Sequence, residues 1–356
     1  MSYKQTTVWD VDNFEGKSFS EPGIKEAGLW IKRGEVIAFP TETVYGLGAD
    51  ATNDAAVEKI FEAKGRPGDN PLIVHIDDQK QLTELASSVP HLARQLADCF
   101  WPGPLTLIVP KKEAVSEKVT AGLSTVAVRM PDHPIARALI KEAEVPVAAP
   151  SANRSGRPSP TKAEHVKHDL NGRIAGIVDG GPSGYGLEST VVDCTGEKAW
   201  ILRPGGITKE QLEDVLGKNQ VGISGWEEEN QANITTESPK APGMKYRHYA
   251  PEAPLILLNG NKKVILNRIK QEQNKGNKVA VLAVEEHKRD LEHAADTFVS
   301  LGSINNLEYI AAQLYDNLRQ ADRTEADIIL CETFSTKGVG LAIMNRLEKA
   351  ADAYEK

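Results

Sequence analysis

The sequence predicts an α/β protein of two domains. Short apolar runs of strand length recur through the first two-thirds of the chain, and helical patterns fall between some of them. The C-terminal part then alternates strand and helix regularly, the pattern of a parallel sheet. At 356 residues the chain exceeds the usual size of a single core, so two domains are the default.

In chain order the strand signals lie at 36–39, 72–76, 105–109, 125–130, 145–149, 176–178, 189–193 and 200–202. Helices are expected over 55–63, 91–99 and 133–142. Asn53 or Asp54 is placed to cap the first helix, and Asp132 the third, by accepting orphan backbone N–H bonds. Several strands are almost continuous in apolar residues, which favours a sheet covered on both faces. From about 216 the character changes to WEEENQANITTES and PKAPGMKYRHYAPEAP, rich in proline and poor in periodicity. This reads as a linker, although 244–249 interleaves aromatic and cationic side chains. Beyond it strands are expected at 255–258, 278–284, 298–301 and 327–331, with helices at 264–273, 307–319 and 341–350. The expected domains are 1–215, a linker 216–253, and a Rossmann-like domain 254–356. No GxGxxG follows the first strand of that last domain, so nucleotide binding there has no support.

Composition narrows the function. Forty per cent apolar and 26% charged residues describe an ordinary soluble protein. A formal charge of −8 argues against a broad nucleic-acid face. Cys99, Cys194 and Cys331 form no CxxC pair, which excludes a zinc ribbon and argues against a disulfide framework. No apolar run approaches the ~18 residues of a membrane span. The polar N-terminus, with Asp10, Asp12 and Glu15, lacks a signal-peptide core. A cytoplasmic location is expected.

Three runs carry the chemistry. PTETVYGLGA puts Thr41, Glu42 and Thr43 at the end of the strand 36–39. Lys64-Gly-Arg66-Pro places two cations on one turn, a point charge and a bidentate fork suited to phosphate oxygens. An arbitrary KxR is usually a solvated pair, but here the turn leads through Asn70 into the strand that holds His75. His75 alone would more often be a packed histidine than a catalyst, and no second His or carboxylate stands at metal spacing. Ser151-Ala-Asn153 supplies hydroxyl and amide groups after an apolar strand, and 151–162 carries Arg154, Arg157 and Lys162 with no acidic residue but the tract is otherwise compatible with a plain polar loop. Its place at a strand end favours ligand binding. Gly180 to Gly186 is glycine-rich but matches no phosphate fingerprint, so a structural turn is its expected role. Arg129 and Arg203 each close an apolar strand, where a charge either pairs or binds. GxSxG, kinase and P-loop signatures are absent.

Taken together and in order, PTETVYGLGA, KGRPGDNPLIVHI, WPGPLTLI, TVAVRMPDHP, APSANRSGRPSPT, ESTVVD and ILRPG resemble the YrdC-like threonylcarbamoyl-AMP synthases. The resemblance covers about residues 20 to 207, and the Pro-rich linker and tail look like the long, two-domain form of that family. It implies an N-terminal YrdC-like twisted open sheet and a nucleotidyltransferase that joins ATP, bicarbonate and L-threonine into threonylcarbamoyl-adenylate. The product would pass to separate transferase proteins that modify tRNA. Lys64 and Arg66 would be catalytic, neutralising phosphate with Mg2+. Asn70, Ser151, Asn153, Arg203 and Tyr246 would be the other ATP contacts, and Thr41, His75, Arg129 and Ser189 the threonine contacts. No protein side chain is singled out as a metal ligand. The linker would be a candidate lid over the site. Two rivals remain: an RNA-binding translation or ribosome-maturation factor, disfavoured by the acidic balance, and carbamoyl transfer in hydrogenase maturation, which would bring CxxC pairs. Direct tRNA binding is disfavoured for the same reason of charge.

Overall fold

A computed structural model describes residues 3, 5–11, 21–224, 248–259 and 261–355. The chain divides into two compact units. The first comprises Met1–Ser155, Pro160–Gly184 and Glu188–Lys245; the second comprises Gly156–Ser159, Tyr185–Leu187 and Tyr246–Lys356.

In the first unit, eleven strands among the described residues form one mixed sheet. They are β1 (Thr7–Asp10), β2 (Ile37–Phe39), β3 (Gly46–Asp50), β4 (Ile73–His75), β5 (Leu105–Pro110) and β6 (Thr125–Arg129), then β7 (Val147–Ala148), β8 (Gly176–Asp179), β9 (Thr190–Asp193), β10 (Ala199–Arg203) and β11 (Val221–Ile223). Their order is β1-β8-β2-β3-β7-β4-β6-β5-β9-β10-β11. The expected strands are all present, and their apolar runs explain why: a residue such as Val74 or Val128 is fully buried on the helix-covered face.

Register sets up the two faces of the sheet centre. Val74, Val128, Leu107 and Val192 lie opposite one another and enter the large core with Val57, Ile60, Phe61 and Leu96 from the helices Asp54–Lys64 and His91–Phe100. The alternate residues Ile73, Ala127, Ile108 and Val191 form a small apolar floor on the other face. One pleat along, His75 and Thr106 both lie opposite Arg129, so these three polar groups share that second face.

Several details differ from the sequence expectation. β3 is a strand despite the run Gly-Leu-Gly-Ala-Asp, because Phe39 lies across it: a Cβ on Gly48 would come within 2.7 Å of the Phe39 ring and 2.8 Å of Val147. The helix expected at 133–142 runs Pro134–Ala143, with His133 in the cap position and no side chain accepting a capping bond. Asp132 is therefore no cap; Pro134, whose missing N–H costs nothing at a helix start, opens the helix instead. β11 lies inside the stretch expected to be linker and pairs parallel to β10, with Val221 buried. Most of the remaining linker, including Tyr246 and the basic-aromatic run up to Arg247, lies outside the described residues.

The cap expected from Asn53 is present: its Oδ1 accepts from the backbone N–H groups of Ala55 and Ala56 at 3.0 and 3.2 Å. Asn53→Ala is expected to cost ~1 kcal/mol, read as a lowered urea midpoint with unchanged slope.

The second unit is built on five parallel strands, β12 (Leu255–Leu258), β13 (Val279–Ala283), β14 (Thr297–Ser300), β15 (Ile328–Glu332) and β16 (Ala353–Glu355). Their order is β14-β13-β15-β12-β16. Helices Lys262–Asn274, Leu307–Asp322 and Val339–Ala350 connect them, giving the alternating, Rossmann-like layout the periodicity predicts. β16 was not expected, because Ala-Tyr-Glu is short and exposed.

Candidate active site

The end of β2 turns on its own hydroxyls. Thr41 Oγ1 donates to the Val44 carbonyl at 2.7 Å and accepts from the backbone N–H groups of Thr43 and Val44. A hydroxyl has one proton, so in the 2.8 Å contact between Thr41 and Thr43 the proton belongs to Thr43. Thr43 in turn accepts from Arg129 Nη1 at 2.8 Å. The turn and the end of β6 are thereby locked together, and both threonines are fully buried.

Arg129 is itself buried. Its Nε donates to the Gly103 carbonyl at 3.4 Å, and its Nη2 lies 2.6 Å from Glu42 Oε1. Beside it on the sheet, His75 Nδ1 lies 3.3 Å from the Ile73 carbonyl. A carbonyl only accepts, so the proton sits on Nδ1 and Nε2 keeps a free lone pair. Burial, helped by the Arg129 charge, pushes the His75 pKa down to about 3. His75 is a neutral acceptor at physiological pH. Because the unfolded chain takes up this proton near pH 6.5 and the native state does not, stability falls as pH drops from about 6.5 towards 3. His75→Gln is expected to flatten that part of a stability-against-pH curve measured by denaturant titration.

Across the sheet Ser189 completes the row. Its Oγ is 2.7 Å from Thr106 Oγ1, while Arg203 donates from Nη2 to Ser189 Oγ at 3.2 Å and from Nε to the Ser189 carbonyl at 3.1 Å. A register shift in β10 between Ile201 and Arg203 accompanies this turn of the Arg203 side chain. Thr41 and Arg129 are joined through Thr43, Ser189 is bonded to Thr106, and sheet register sets His75 and Thr106 beside Arg129.

The two cations expected on one turn, Lys64 and Arg66, each bond to backbone carbonyls. Lys64 ends its helix, with Gly65 following in the left-handed region at φ 60°. Its ammonium is buried and donates to the carbonyls of Ser151 and Asn153 at 2.5 and 2.6 Å and to Asn153 Oδ1 at 3.3 Å. Desolvation and the neighbouring Arg66 lower its pKa well below the usual lysine value, opposed by the carboxylates of Asp169 and Glu188. Ser151 Oγ donates to Asn153 Oδ1 at 2.5 Å, which fixes the amide, and Asn153 Nδ2 donates to the Arg154 carbonyl. Lysine, serine and asparagine therefore form one unit.

Arg66 Nη2 donates to the carbonyls of Asn70 and Pro71, closing the turn between helix and β4. The Asn70 side chain is 1% exposed, and neither its amide nitrogen nor its oxygen has a hydrogen-bond partner. Such a group is waiting for a ligand or is costly to keep. Glu188, next to Ser189 in the chain, acts electrostatically on Lys64. Tyr246, the remaining site candidate, lies outside the described residues. Glu42, Thr43, Thr106, His133 and Ser183 also belong here by contact or burial. Nothing in the sequence marks Thr106, whose value comes from lying opposite Arg129 and from its bond to Ser189.

Comparison with known proteins bears on both units. A family model described as telomere recombination, for the Sua5, YciO and YrdC proteins, matches residues 30–205. A second, described as the C-terminal domain of threonylcarbamoyl-AMP synthase, matches 207–352. The chain is 55% identical over 348 residues to the threonylcarbamoyl-AMP synthase of Bacillus subtilis, covering 98% of each. It is 40% identical to that of Schizosaccharomyces pombe, with 88% of this chain and 84% of the relative covered. Among solved structures, Pyrococcus abyssi Sua5 complexed with L-threonine matches with a TM-score of 0.88 and 45% identity, over 99% of this chain and 100% of that one.

Proposed function

The chain belongs to the threonylcarbamoyl-AMP synthase family, and on that premise we propose that it converts L-threonine, bicarbonate and ATP into threonylcarbamoyl-adenylate and pyrophosphate. The observation that carries the reading is the row of His75, Arg129 and Thr106 over an apolar floor. It offers a neutral acceptor, a desolvated guanidinium and a hydroxyl, the complement of a hydroxylated amino acid.

In the first step the threonine amine combines with bicarbonate to give the carbamate and water. A carbamate oxygen then attacks the α-phosphorus of ATP and pyrophosphate leaves. Positioning and charge neutralisation can supply most of the acceleration, so no covalent enzyme intermediate is required. Arg129 and Ser189 hold the amino acid, with Thr41 shaping the turn that carries Thr43. Lys64 and Arg66, with Asn70, Ser151, Asn153 and Arg203, bind the nucleotide, and Tyr246 is the proposed contact from the linker. The Lys64 unit presents hydroxyl and amide groups rather than free carboxylates, which fits Mg2+ carried on the triphosphate better than a resident metal; when bound it would spread the phosphate charge. The adenylate would be consumed by a separate system that modifies tRNA.

Incubation with α-labelled ATP, bicarbonate and individual amino acids tests this directly. A labelled adenylate that requires both threonine and bicarbonate is expected. No turnover with any amino acid, under conditions that protect the product, would overturn the reading in favour of an RNA-binding role.

A further inference from the structure

The Glu42–Arg129 pair is not an ordinary structural ion pair. Both side chains are removed from water, at 10% and 5% exposure, and Oε1 and Nη2 are 2.6 Å apart. Yet neither carboxylate oxygen of Glu42 has a hydrogen bond of acceptable geometry, and neither does Arg129 Nη2. Burying an anion without hydrogen bonds is costly, and structural pairs normally close them. Here the cation is held elsewhere: Thr43 Oγ1 and the Gly103 carbonyl take its other nitrogens. Close by, two more buried polar atoms are unspent. His133, on which Glu42 acts electrostatically, has no partner for Nδ1, and the Ser183 hydroxyl has none either. Ser183 belongs to the loop whose Gly184 approaches the Glu42 carbonyl.

An anion and a cation side by side, each with unused hydrogen-bonding capacity, complement a zwitterion. We propose that Glu42 receives the α-ammonium of the amino-acid substrate while Arg129 takes its carboxylate, so that the pair is a clip for a free α-amino acid. The ligand completes the bonds that the two residues leave open. This fixes the amine, the atom that must meet bicarbonate, relative to the carboxylate, and rejects acids that lack the amine. It rests on the synthase reading above, which assigns an amino-acid substrate without saying what holds its nitrogen.

The test compares two ligands on the full-length chain. Affinities for L-threonine and for 3-hydroxybutanoate, which lacks the amine, are measured by calorimetry or competition for wild type, Glu42→Gln and Glu42→Asp, with ATP affinity and melting as controls. Glu42→Gln is expected to weaken threonine binding by about 30-fold or more, since a charge-assisted bond is lost, and to leave 3-hydroxybutanoate and ATP within about twofold. Glu42→Asp, which keeps the charge, is expected to recover part of the threonine affinity. Equal weakening of both ligands would mean that Glu42 only positions Arg129, and would overturn the proposal. Unchanged threonine affinity in Glu42→Gln would overturn it too. Failure of the wild type to bind threonine would instead remove the synthase reading on which it rests.

Discussion

Lys64→Ala is expected to lower adenylate formation by about 10²–10³-fold, the scale seen when a preorganised donor is removed from an active site. Lys64 makes three hydrogen bonds into the turn Ser151–Asn153, and it is 3% exposed. Alanine leaves the carbonyls of Ser151 and Asn153 without their donor, at roughly 1–3 kcal/mol for buried groups left unsatisfied. The turn then loses its anchor, and the proposed nucleotide site loses both a charge and a shape. Desolvation, helped by Arg66, lowers the Lys64 pKa, and the negative charge of an arriving phosphate would favour the ammonium form again. Lys64→Arg is not expected to rescue, since a planar fork cannot point at oxygens gathered round a single nitrogen. Single-turnover adenylate formation, with ATP binding measured separately, decides it; activity within about threefold of wild type would remove Lys64 from the catalytic unit.

The second large effect is predicted for a residue with no side chain. A Cβ on Gly205 would lie 2.4 Å from the Glu188 carbonyl oxygen and the Thr190 nitrogen, and 2.5 Å from the Ser189 carbonyl carbon. These are backbone atoms and cannot swing aside. Gly205→Ala must push the 188–190 segment away, separating Ser189 from Thr106 and Arg203, whose bonds are 2.7 and 3.2 Å. A cost of about 1–3 kcal/mol, or several degrees in melting temperature, is expected from overpacking. Threonine-dependent turnover should fall by tenfold or more, because displacements of about 1 Å at a reacting centre are costly. Gly68 is the control: a Cβ there meets nothing within 4 Å, so Gly68→Ala should stay within about 0.5 kcal/mol of wild type. A Gly205→Ala protein with native melting and kinetics would show that the segment yields freely.

How much of this was legible depends on the residue. β2, β4 and β6 could be read because apolar runs of strand length have few other uses, and the Asn53 cap because its chemistry is local. β3 could not: glycine is poor in strands, and the ring of Phe39 that makes glycine necessary arrives from a neighbouring strand. Asp132 misled because a capping residue type stood one place too early for a helix that proline opens. At the site, residue types could be listed from sequence, but not their commitments. That Lys64 turns inward onto Ser151 and Asn153, and that Glu42 sits against Arg129 with bonds unmade, are properties of burial and distance between segments remote in the chain.

The strand order of the second unit has a consequence for how the protein is made. β12, the first strand of that sheet to leave the ribosome, ends up between β15 and β16, the last two. Its neighbours' main chains do not exist while the intervening segment is being added at about 5–20 residues per second. Until Glu355 emerges, Leu255–Leu258 presents an apolar, unpaired edge to whatever is nearby. Assembly of this sheet therefore waits for β16, and a nascent chain from which Ala353–Glu355 has not yet emerged carries that β12 edge uncovered.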